Sequence, residues 1–389
     1  MLDFLPLRRR AALMAAGLGL WSWRGADASP LKRDEHVLPI PGLLCMDASG
    51  AAQADIAVWV YEDERRPGAR SLFARYLGID LDGLNGPQRA LFETRARLFL
   101  KDSERGKRLT VVIDGAGSVA LNPTDPAGRS TTRVTLPGTV WQGGAEPLRY
   151  AVVRPTAPSP ADAATHRHGQ GQLWPVAETG LSIVSDIDDT IKVSEVGNTR
   201  QLLRNTFLEA FQAVPGMAAW YRQMCSAAQQ AVEPVGASAA SVCCHYLSSS
   251  PLQLLPVLQR FIEEAGFPPG PLHLREATAW RSLLPGSADS ESLKLGRLRQ
   301  WLDDFPARRF VLIGDSGEAD PEIYACIARQ YPGQVAAIFI RDVTGEDAAA
   351  PRYAQVFEGV PRSRWHIIRD GHDGLAITEA GGLVTGLAP

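Results

Sequence analysis

Asp186 and Asp188 are two carboxylates that stand two residues apart, directly after the apolar run 181–185. A carboxylate can act as a nucleophile and form a covalent aspartyl-phosphate. A second carboxylate can protonate the leaving oxygen and later deprotonate an attacking water. The pair therefore predicts phosphoryl transfer, if further groups lie close enough to bind a phosphate.

Groups of that kind follow in chain order. Hydroxyls come at 248–250 after the apolar run 242–247, Lys294 lies on a predicted helix, and the acidic string 314–320 contains Asp315 and Asp320. Hydroxyl, lysine and backbone N–H groups can hold phosphate oxygens. Carboxylates can hold Mg²⁺, which commonly contacts one or two of them together with phosphate and water. We therefore expect Mg²⁺ as the cofactor.

The elements that position these residues alternate between strands and helices from residue 181 onward. Helical spacing predicts one helix from about Gln253 to a stop at Gly266 and another over 289–304. Asp320 is predicted as the N-cap of a third helix, with Pro321 as the first helical residue. Strands are predicted at 181–185, 242–247, 271–275, 310–313 and 335–340. This alternation predicts an α/β fold with a parallel sheet and a ligand site beyond the carboxyl ends of its strands.

The first part of the chain has a different texture, in which short β-rich runs alternate with turn residues. Strands are predicted at 56–61, 108–113, 132–136 and 148–153, and the stretch 93–100 is ambiguous between helix and strand. We predict a small β-rich, sandwich-like accessory domain over 37–153, a linker over 154–177 and a catalytic domain over 178–389. The linker is rich in Pro, Ala, Thr, His and Gly, and its histidines are expected to be solvated.

Composition and charge exclude several classes of protein. Hydrophobic residues make up 45% of the chain and charged residues 21%, which is ordinary globular usage. The net charge of -3 argues against a polycation that binds nucleic acid by charge alone, so no nucleic-acid partner is expected. The five cysteines are too few for a disulfide scaffold. After the N-terminus every long apolar run is interrupted by charge, so no transmembrane helix is expected in the mature chain.

Residues 1–28 have the three-part layout of an export signal. Arg8, Arg9 and Arg10 form a basic cluster, 11–23 is apolar and uncharged, and small residues follow at 26–28. The apolar run is too short to span a bilayer, and the arginines also resemble a twin-arginine motif. We expect a periplasmic or secreted protein that begins near Ser29 after cleavage. If the signal is not used, the expected location is the cytoplasm, peripheral to the membrane.

Several strings resemble one known family. Asp186 to Thr190 match the Asp-x-Asp-x-Thr motif of the haloacid dehalogenase superfamily, and Ser248, Lys294 and the string 314–320 match its other three motifs in order. Longer strings at 186–196, 246–256, 270–275 and 313–324 resemble the actin-patch-associated phosphatidate phosphatase family, which is related to the lipins. The resemblance covers about 181–343 and implies a Rossmann-like parallel sheet with a minimal cap.

The resemblance implies the chemical roles. Asp186 would be the nucleophile and a metal ligand. Asp188 would be the general acid and base, with its backbone carbonyl on the metal. Asp315 would be a further metal ligand, and Asp320 would support the metal directly or through water. The implied reaction is the Mg²⁺-dependent hydrolysis of phosphatidate to diacylglycerol and phosphate.

The resemblance also implies a phosphate-binding set. Ser248 and Lys294 would hold the phosphoryl group, with Ser249 and Ser250 as open alternatives to Ser248. Thr190 would lie in the same set and orient Asp188. Two functional alternatives stay open: a related module that only binds and senses phosphatidate, and a phosphohydrolase for another phosphomonoester.

The length of the possible cap bears on the substrate. The sequence between residues 190 and 242 has room for only two or three helices, around 199–211 and 217–230. We therefore expect an open site, as suits a phosphate presented at a membrane surface. The loop 280–284 carries tryptophan, leucines and an arginine, a composition that can touch an anionic bilayer.

Overall fold

The computed structural model describes residues 28–46, 50–63, 66–141, 144–153, 168–232, 242–276 and 287–381. The strands are β1 (Ser29–Pro30), β2 (Glu35–Ile40), β3 (Gly42–Met46), β4 (Ala52–Glu62), β5 (Asp102–Ser103), β6 (Lys107–Arg108), β7 (Thr110–Ile113), β8 (Gly117–Ala120), β9 (Arg129–Leu136), β10 (Leu148–Val153), β11 (Gly169–Val176), β12 (Gly180–Ser185), β13 (Val242–Pro251), β14 (Leu272–Arg275), β15 (Arg308–Asp315), β16 (Val335–Arg341) and β17 (Trp365–Ile368). The α-helices are α1 (Ala69–Tyr76), α2 (Gly86–Ala96), α3 (Thr199–Phe207), α4 (Met217–Val232), α5 (Leu255–Glu264), α6 (Ser287–Asp304), α7 (Asp320–Gln330), α8 (Pro351–Val356) and α9 (Gly371–Gly381).

Nine of the eleven N-terminal strands form one sheet with the order β2-β4-β3-β11-β10-β7-β8, in which β5 and β9 also pair with β4. The other two, β1 and β6, pair in parallel as a separate small sheet. Every pair in the nine-stranded sheet is antiparallel except β3 with β11. Alternate residues of β4 are buried, among them Ile56 and Val58, as expected for a strand with one face on a core. All four strands predicted here are present.

The predicted linker over 154–177 is partly wrong. Its second half forms β11, which pairs with β10 and β3 in the N-terminal sheet. Leu173 is fully buried in the core of that sheet. The strand could not be predicted from composition, because the glycines and glutamines of this segment give no β signal. Pairing with a strand on each side stabilises β11 instead. Residues 154–167, with His166, lie outside the described part of the chain, whereas His168 donates its backbone N–H to Val152.

The C-terminal strands form a six-stranded sheet with the order β14-β13-β12-β15-β16-β17, in which every pair is parallel. The predicted α/β alternation and parallel sheet are therefore confirmed. The chain builds outward from β12 to β14 on one side and then returns to β15 on the other. This reversal makes the gap between β12 and β15 the topological switch point, where ligands bind in open parallel sheets.

Both faces of this sheet are covered. Ile183 and Val184 are consecutive in β12, yet both are fully buried, because the strand faces one hydrophobic cluster on each side. Helices α4 and α5 contribute to the first cluster, and α6, α7 and α8 contribute to the second. The sheet therefore lies between two helical layers, and the polar residues at its carboxyl edge are the exception to an apolar strand pattern.

Two helices from the N-terminal part pack onto the C-terminal part. Phe73 of α1 and Phe92 of α2 contact Phe207 of α3 with ring-centroid distances of 5.7 and 6.3 Å. Arg95 of α2 donates to the backbone carbonyls of Thr206 and Glu209 at 2.9 and 2.6 Å. The ambiguous stretch 93–100 is the end of α2 followed by a short 3₁₀ turn.

The remaining predictions differ in outcome. Helix α5 starts after a 3₁₀ turn at Leu252–Leu254, with proline in its first turn, and Gly266 follows it with a positive φ. Helices α3 and α4 lie in the stretch that was predicted to hold the short cap, but α4 packs on the sheet as part of one helical layer. Asp320 was predicted as an N-cap, but the cap of α7 is Ala319 and Asp320 is the first helical residue. Residues 1–27 and the loop 280–284 lie outside the described residues.

Candidate active site

The site lies at the carboxyl edge of the parallel sheet, at its switch point. Asp186 directly follows β12, and Asp315 ends the neighbouring strand β15. The backbone N–H of Asp186 donates to the carbonyl of Ile313 at 2.9 Å, so the strand pairing fixes the position of Asp186. Two acidic residues far apart in sequence are thus brought together by one pair of neighbouring strands.

Asp320 joins this pair from the first turn of α7. Its Oδ2 accepts from the backbone N–H of Asp315 at 3.3 Å. Gly314 makes this approach possible, because a Cβ at that position would overlap the Asp320 carboxylate. Asp315 in turn accepts from the backbone N–H groups of Gly317 and Glu318 at 2.6 and 3.1 Å, which fixes the loop between β15 and α7.

The three aspartates form a compact, buried acidic cluster. One carboxylate oxygen each from Asp186, Asp315 and Asp320 lies within 4.8 Å of the others, and all three residues are buried. Asp186 Oδ2 and Asp315 Oδ2 are buried without a hydrogen-bond partner among the described residues. Buried carboxylate oxygens without donors are costly unless a cation contacts them. The predicted metal residues Asp186, Asp315 and Asp320 therefore lie where a cation would need them.

Lys294 of α6 is the positive charge in this cluster. Its Nζ lies 3.0 Å from Asp186 Oδ1, 3.0 Å from Glu318 Oε2 and 2.6 Å from Asp320 Oδ1. Burial alone would lower the pKa of Lys294, but these carboxylates raise it well above its usual value. Lys294 is therefore a fixed cation, as binding a phosphate requires.

One ammonium does not balance four carboxylates. Burial raises the pKa of Asp186 well above its ordinary value; Lys294 opposes this, whereas Asp320 and the other acids add to it. The pKa of Asp315 is raised by burial and by Asp320 and Glu318. Both shifts express the same excess of negative charge. A divalent cation with oxygen ligands would relieve it, so the donor set fits Mg²⁺.

Asp188 lies in a different environment, although it is only two residues away. Lys192 Nζ is 2.7 Å from Asp188 Oδ1, and Ser194 donates to the same oxygen at 2.7 Å. Ser250 donates to Asp188 Oδ2 at 2.7 Å. Burial favours the neutral acid, but Lys192 and these hydroxyls outweigh it and lower the pKa of Asp188 to about 2. The carboxylate of Asp188 is therefore ionised and internally balanced.

The loop after β12 is held by Asp189. This residue has a φ of 54°, a left-handed conformation that costs energy for a residue with a side chain. Its carboxylate accepts from the backbone N–H groups of Ser194, Glu195 and Val196 at 2.8, 2.8 and 2.6 Å. Arg341 at the end of β16 also donates to its carbonyl at 2.6 Å. These bonds fold the loop back and bring Lys192 and Ser194 against Asp188.

The three serines of β13 face different partners. Ser248 lies 3.4 Å from Asp188 Oδ2 and accepts from the backbone N–H of Ser250 at 2.9 Å. Ser249 instead contacts the hydroxyl of Ser290 on α6. The strand extends through all three, beyond its predicted end at 247. Ser248 and Ser250 thus share the side of Asp188, and Ser249 is turned toward α6.

Thr190 does not orient Asp188 by a hydrogen bond, contrary to expectation. It is fully buried, and its hydroxyl has no partner among the described residues. Lys192, Ser194 and Ser250 orient Asp188 instead. Sequence reasoning gave no role to Lys192 or Ser194, although both lie in the string 186–196 that carries the family resemblance. Glu318 lies in the acidic string 314–320, but no sequence pattern assigned it a role of its own.

The fold and site together define a class. The chain contains a parallel α/β sheet that gathers a candidate nucleophile, a buried lysine, hydroxyls and a buried carboxylate cluster at its switch point. This is an arrangement suited to binding a phosphate with a metal ion.

The comparisons with known proteins are more specific. The family described as "Phosphatidate phosphatase APP1, catalytic domain" matches residues 181–342. That segment contains every residue of the site described above. Residues 181–342 are therefore similar to the actin-patch-associated phosphatidate phosphatase family, as the sequence motifs predicted.

Two curated relatives are each similar to part of the chain. Phosphatidate phosphatase APP1 of Saccharomyces cerevisiae is 33% identical over 198 residues, which are 47% of this chain and 31% of that protein. An uncharacterized protein of Schizosaccharomyces pombe is 33% identical over 173 residues, 43% of this chain and 26% of that protein. The chain thus spans a third or less of the relatives' lengths. Among solved structures, a carbohydrate esterase covers 92% of this chain at 11% identity, with a TM-score of only 0.22.

Proposed function

We propose that the segment 178–389 is a Mg²⁺-dependent phosphatase with a haloacid dehalogenase-like fold, and that it hydrolyses phosphatidate to diacylglycerol and phosphate. The observation that carries this proposal is the position of Asp186. It stands at the switch point of the sheet, 3.0 Å from the Lys294 ammonium, within a segment that is similar to the phosphatidate phosphatase family. A nucleophile beside a fixed cation is what attack on a phosphate requires.

In the first step, an Asp186 oxygen attacks phosphorus while the bond to the glyceryl oxygen breaks. Asp188 delivers a proton to that leaving oxygen, so diacylglycerol departs neutral and Asp186 carries the phosphoryl group. In the free protein the pKa of Asp188 is about 2, so it must first gain a proton. A phosphate dianion beside Asp188 opposes the effect of Lys192 and raises its pKa, which favours this protonation.

In the second step, water attacks the phosphorus of the aspartyl-phosphate and the bond to Asp186 breaks. Asp188, now ionised, takes the proton from that water. Inorganic phosphate leaves and Asp186 is again a free carboxylate. Asp188 then releases to solvent the proton that it took from water, which restores its ionised starting state. The low pKa of Asp188 suits this second role directly, because the carboxylate is already in its basic form.

Lys294, Ser248 and Ser250 would bind the phosphoryl oxygens, and Thr190 offers a further unpaired hydroxyl. The carboxylates of Asp186, Asp315 and Asp320 would hold Mg²⁺, with the backbone carbonyl of Asp188 as a further ligand. When bound, the cation would neutralise charge on the phosphate oxygens. The carboxylates themselves keep the sheet edge acidic enough to recruit it.

A substrate panel tests the proposal. Phosphate release should be measured for phosphatidate, lysophosphatidate, diacylglycerol pyrophosphate and a soluble phosphomonoester, each with and without Mg²⁺ and each against Asp186→Asn. We expect Mg²⁺-dependent release from phosphatidate that Asp186→Asn abolishes. Turnover of the soluble ester alone would make this a phosphohydrolase of another substrate. Binding to phosphatidate vesicles without any turnover would make it a sensing module.

We also propose that the protein is exported and acts on lipid phosphates at a membrane surface. The support is the N-terminal signal layout and the shortness of the stretch between residues 190 and 242, which holds α3 and α4. In the residues that the structure describes, no helix is long and apolar enough to cross a membrane. N-terminal sequencing of the native protein should find a chain that begins near Ser29, and an intact Met1 in the bulk of the protein would contradict export.

A further inference from the structure

Lys294 is surrounded by carboxylates before any substrate arrives. Its Nζ donates hydrogen bonds to Glu318 and Asp320 at 3.0 and 2.6 Å, and it lies 3.0 Å from Asp186 Oδ1 as an ion pair. An ammonium has three N–H donors. A phosphate oxygen that approaches Lys294 must therefore compete with these carboxylates.

Two of the three carboxylates are fixed. Asp186 and Asp320 have side chains that are 1% and 0% exposed, and Asp320 is also held by the backbone N–H of Asp315. The side chain of Glu318 is 19% exposed, and Lys294 is the one hydrogen-bond partner that its carboxylate has among the described residues. Glu318 is thus the carboxylate with both a path to solvent and nothing else to hold it.

The loop that carries Glu318 need not move. The backbone N–H of Glu318 donates to Asp315 Oδ1 at 3.1 Å, and Arg352 donates to the carbonyl of Glu318 at 3.4 Å. Because the backbone is anchored on both sides of the side chain, rotation of the glutamate alone would free one donor of Lys294. Such a rotamer change needs no opening of the protein.

We propose that Glu318 is a positioning residue that competes with phosphate for Lys294. This inference rests on the proposed function, since it assumes that Lys294 receives the phosphoryl group. The carboxylate of Glu318 occupies the phosphate position in the free protein and swings toward solvent when a phosphate binds. After turnover it returns to Lys294, repels the product and promotes its release.

The competition predicts an unusual phenotype for Glu318→Gln. Removing a negative charge next to the phosphate and weakening its hold on Lys294 should tighten inorganic phosphate binding by roughly tenfold. The KM for substrate should fall and inhibition by product phosphate should become stronger, while kcat does not rise. Glu318→Asp keeps the charge but is one methylene too short to hold Lys294 in the same way, so it should give an intermediate affinity.

The test is a titration of wild type, Glu318→Gln and Glu318→Asp with inorganic phosphate by calorimetry, in the presence of Mg²⁺. Product-inhibition constants from turnover assays provide the second readout. Glu322→Gln is the matched control: this glutamate lies four residues on and contacts Arg352 at 3.0 Å but not Lys294. Arg352 keeps its bonds to the carbonyls of Ser316 and Glu318 in this variant, so phosphate affinity should not change. Folding of each variant is checked by its thermal unfolding midpoint.

The outcomes separate this inference from the proposed function. Tighter phosphate binding in Glu318→Gln, with no change in Glu322→Gln, supports the competition. Equal or weaker phosphate binding in Glu318→Gln, with turnover intact in wild type, overturns the competition and leaves the phosphatase proposal standing. If wild type neither binds phosphate nor turns over any phosphomonoester, both fall together.

Discussion

Asp186 and Asp188 are two residues apart and each contacts a lysine, yet their surroundings differ in charge balance. Around Asp186, four carboxylates share the single ammonium of Lys294. Around Asp188, one carboxylate meets Lys192 and two hydroxyls. Burial is the largest cause that raises the pKa of Asp186, and the neighbouring acids add to it. Lys192 and the hydroxyls instead lower the pKa of Asp188 to about 2.

This difference indicates how the work is divided between the two aspartates. The environment of Asp188 is complete within the chain, because its lysine and hydroxyls already balance its charge. The environment of Asp186 is incomplete without an added cation, because its excess negative charge raises the cost of ionising a nucleophile. We therefore expect substitutions at the two positions to differ in both turnover and stability.

The largest effect is expected for Asp186→Asn, which removes the nucleophile. No aspartyl-phosphate can form, so turnover of phosphatidate should fall to background, roughly 10⁵-fold or more. The substitution also relieves the excess of negative charge, so the metal-free protein should be no less stable than wild type. Initial rates and thermal unfolding midpoints without Mg²⁺ check the two expectations. A marked loss of stability would contradict the charge imbalance described here.

Asp188→Asn should give the opposite combination. Turnover should fall by about 10² to 10⁴, the usual worth of general acid–base catalysis. The first step should suffer less with an aryl phosphate, whose leaving oxygen needs little protonation, so aspartyl-phosphate should accumulate. Because Lys192 would then be buried without its carboxylate, unfolding should become easier by about 3 kcal/mol.

Rapid-quench labelling with a ³²P aryl phosphate, followed by peptide mapping, looks for the adduct in Asp188→Asn. The label should map to Asp186. Label on a serine among 248–250 would replace the proposed nucleophile while leaving the fold unchanged. Asp189→Asn provides a comparison at the next residue, where the carboxylate bonds backbone N–H groups and not Lys192.

A smaller effect is expected for Lys192→Met, which tests whether Lys192 causes the low pKa of Asp188. Lys192 is the main group that opposes burial, so its loss should raise the pKa of Asp188 from about 2 to above its ordinary value. Wild-type Asp188 stays ionised down to about pH 2, whereas the variant should lose its basic form as pH falls through a higher value. The acid limb of the pH–rate profile should move upward, with a loss of about tenfold for each pH unit below the new pKa of Asp188. Lys192→Arg keeps the charge, so it should keep the limb near its original position.

The sequence identified the parts of the site that strand ends place directly. Asp186, Ser248, Lys294, Asp315 and Asp320 were all predicted, because each follows a buried strand or lies on the helix before one. Parallel strands place such residues at one edge whatever the details of the loops. The parallel sheet was predictable for the same reason, since its strands are apolar on both faces.

What could not be predicted depends on how loops fold back. Lys192 reaches Asp188 only because Asp189 adopts a positive φ and binds three backbone N–H groups. No periodicity encodes that turn. Helix α1 was missed because it has eight residues and is stabilised by packing of Phe73 on Phe207, a contact across more than a hundred residues. Strand β17 has only four residues and was also missed.

The smallest effect on turnover is expected from a substitution at His245, which lies in β13 but outside the site. His245 is fully buried, and burial, aided by Arg308, lowers its pKa to about 3. Below pH 6.5 the unfolded chain takes up a proton that folded His245 does not, so the free energy of unfolding should fall as pH falls from 6.5 toward 3. For this residue alone the loss is about 2 kcal/mol at pH 5. His245→Phe should remove that part of the pH dependence in denaturant titrations at pH 7 and pH 5. An unchanged difference between the two pH values would show that other groups govern the acid sensitivity of the fold.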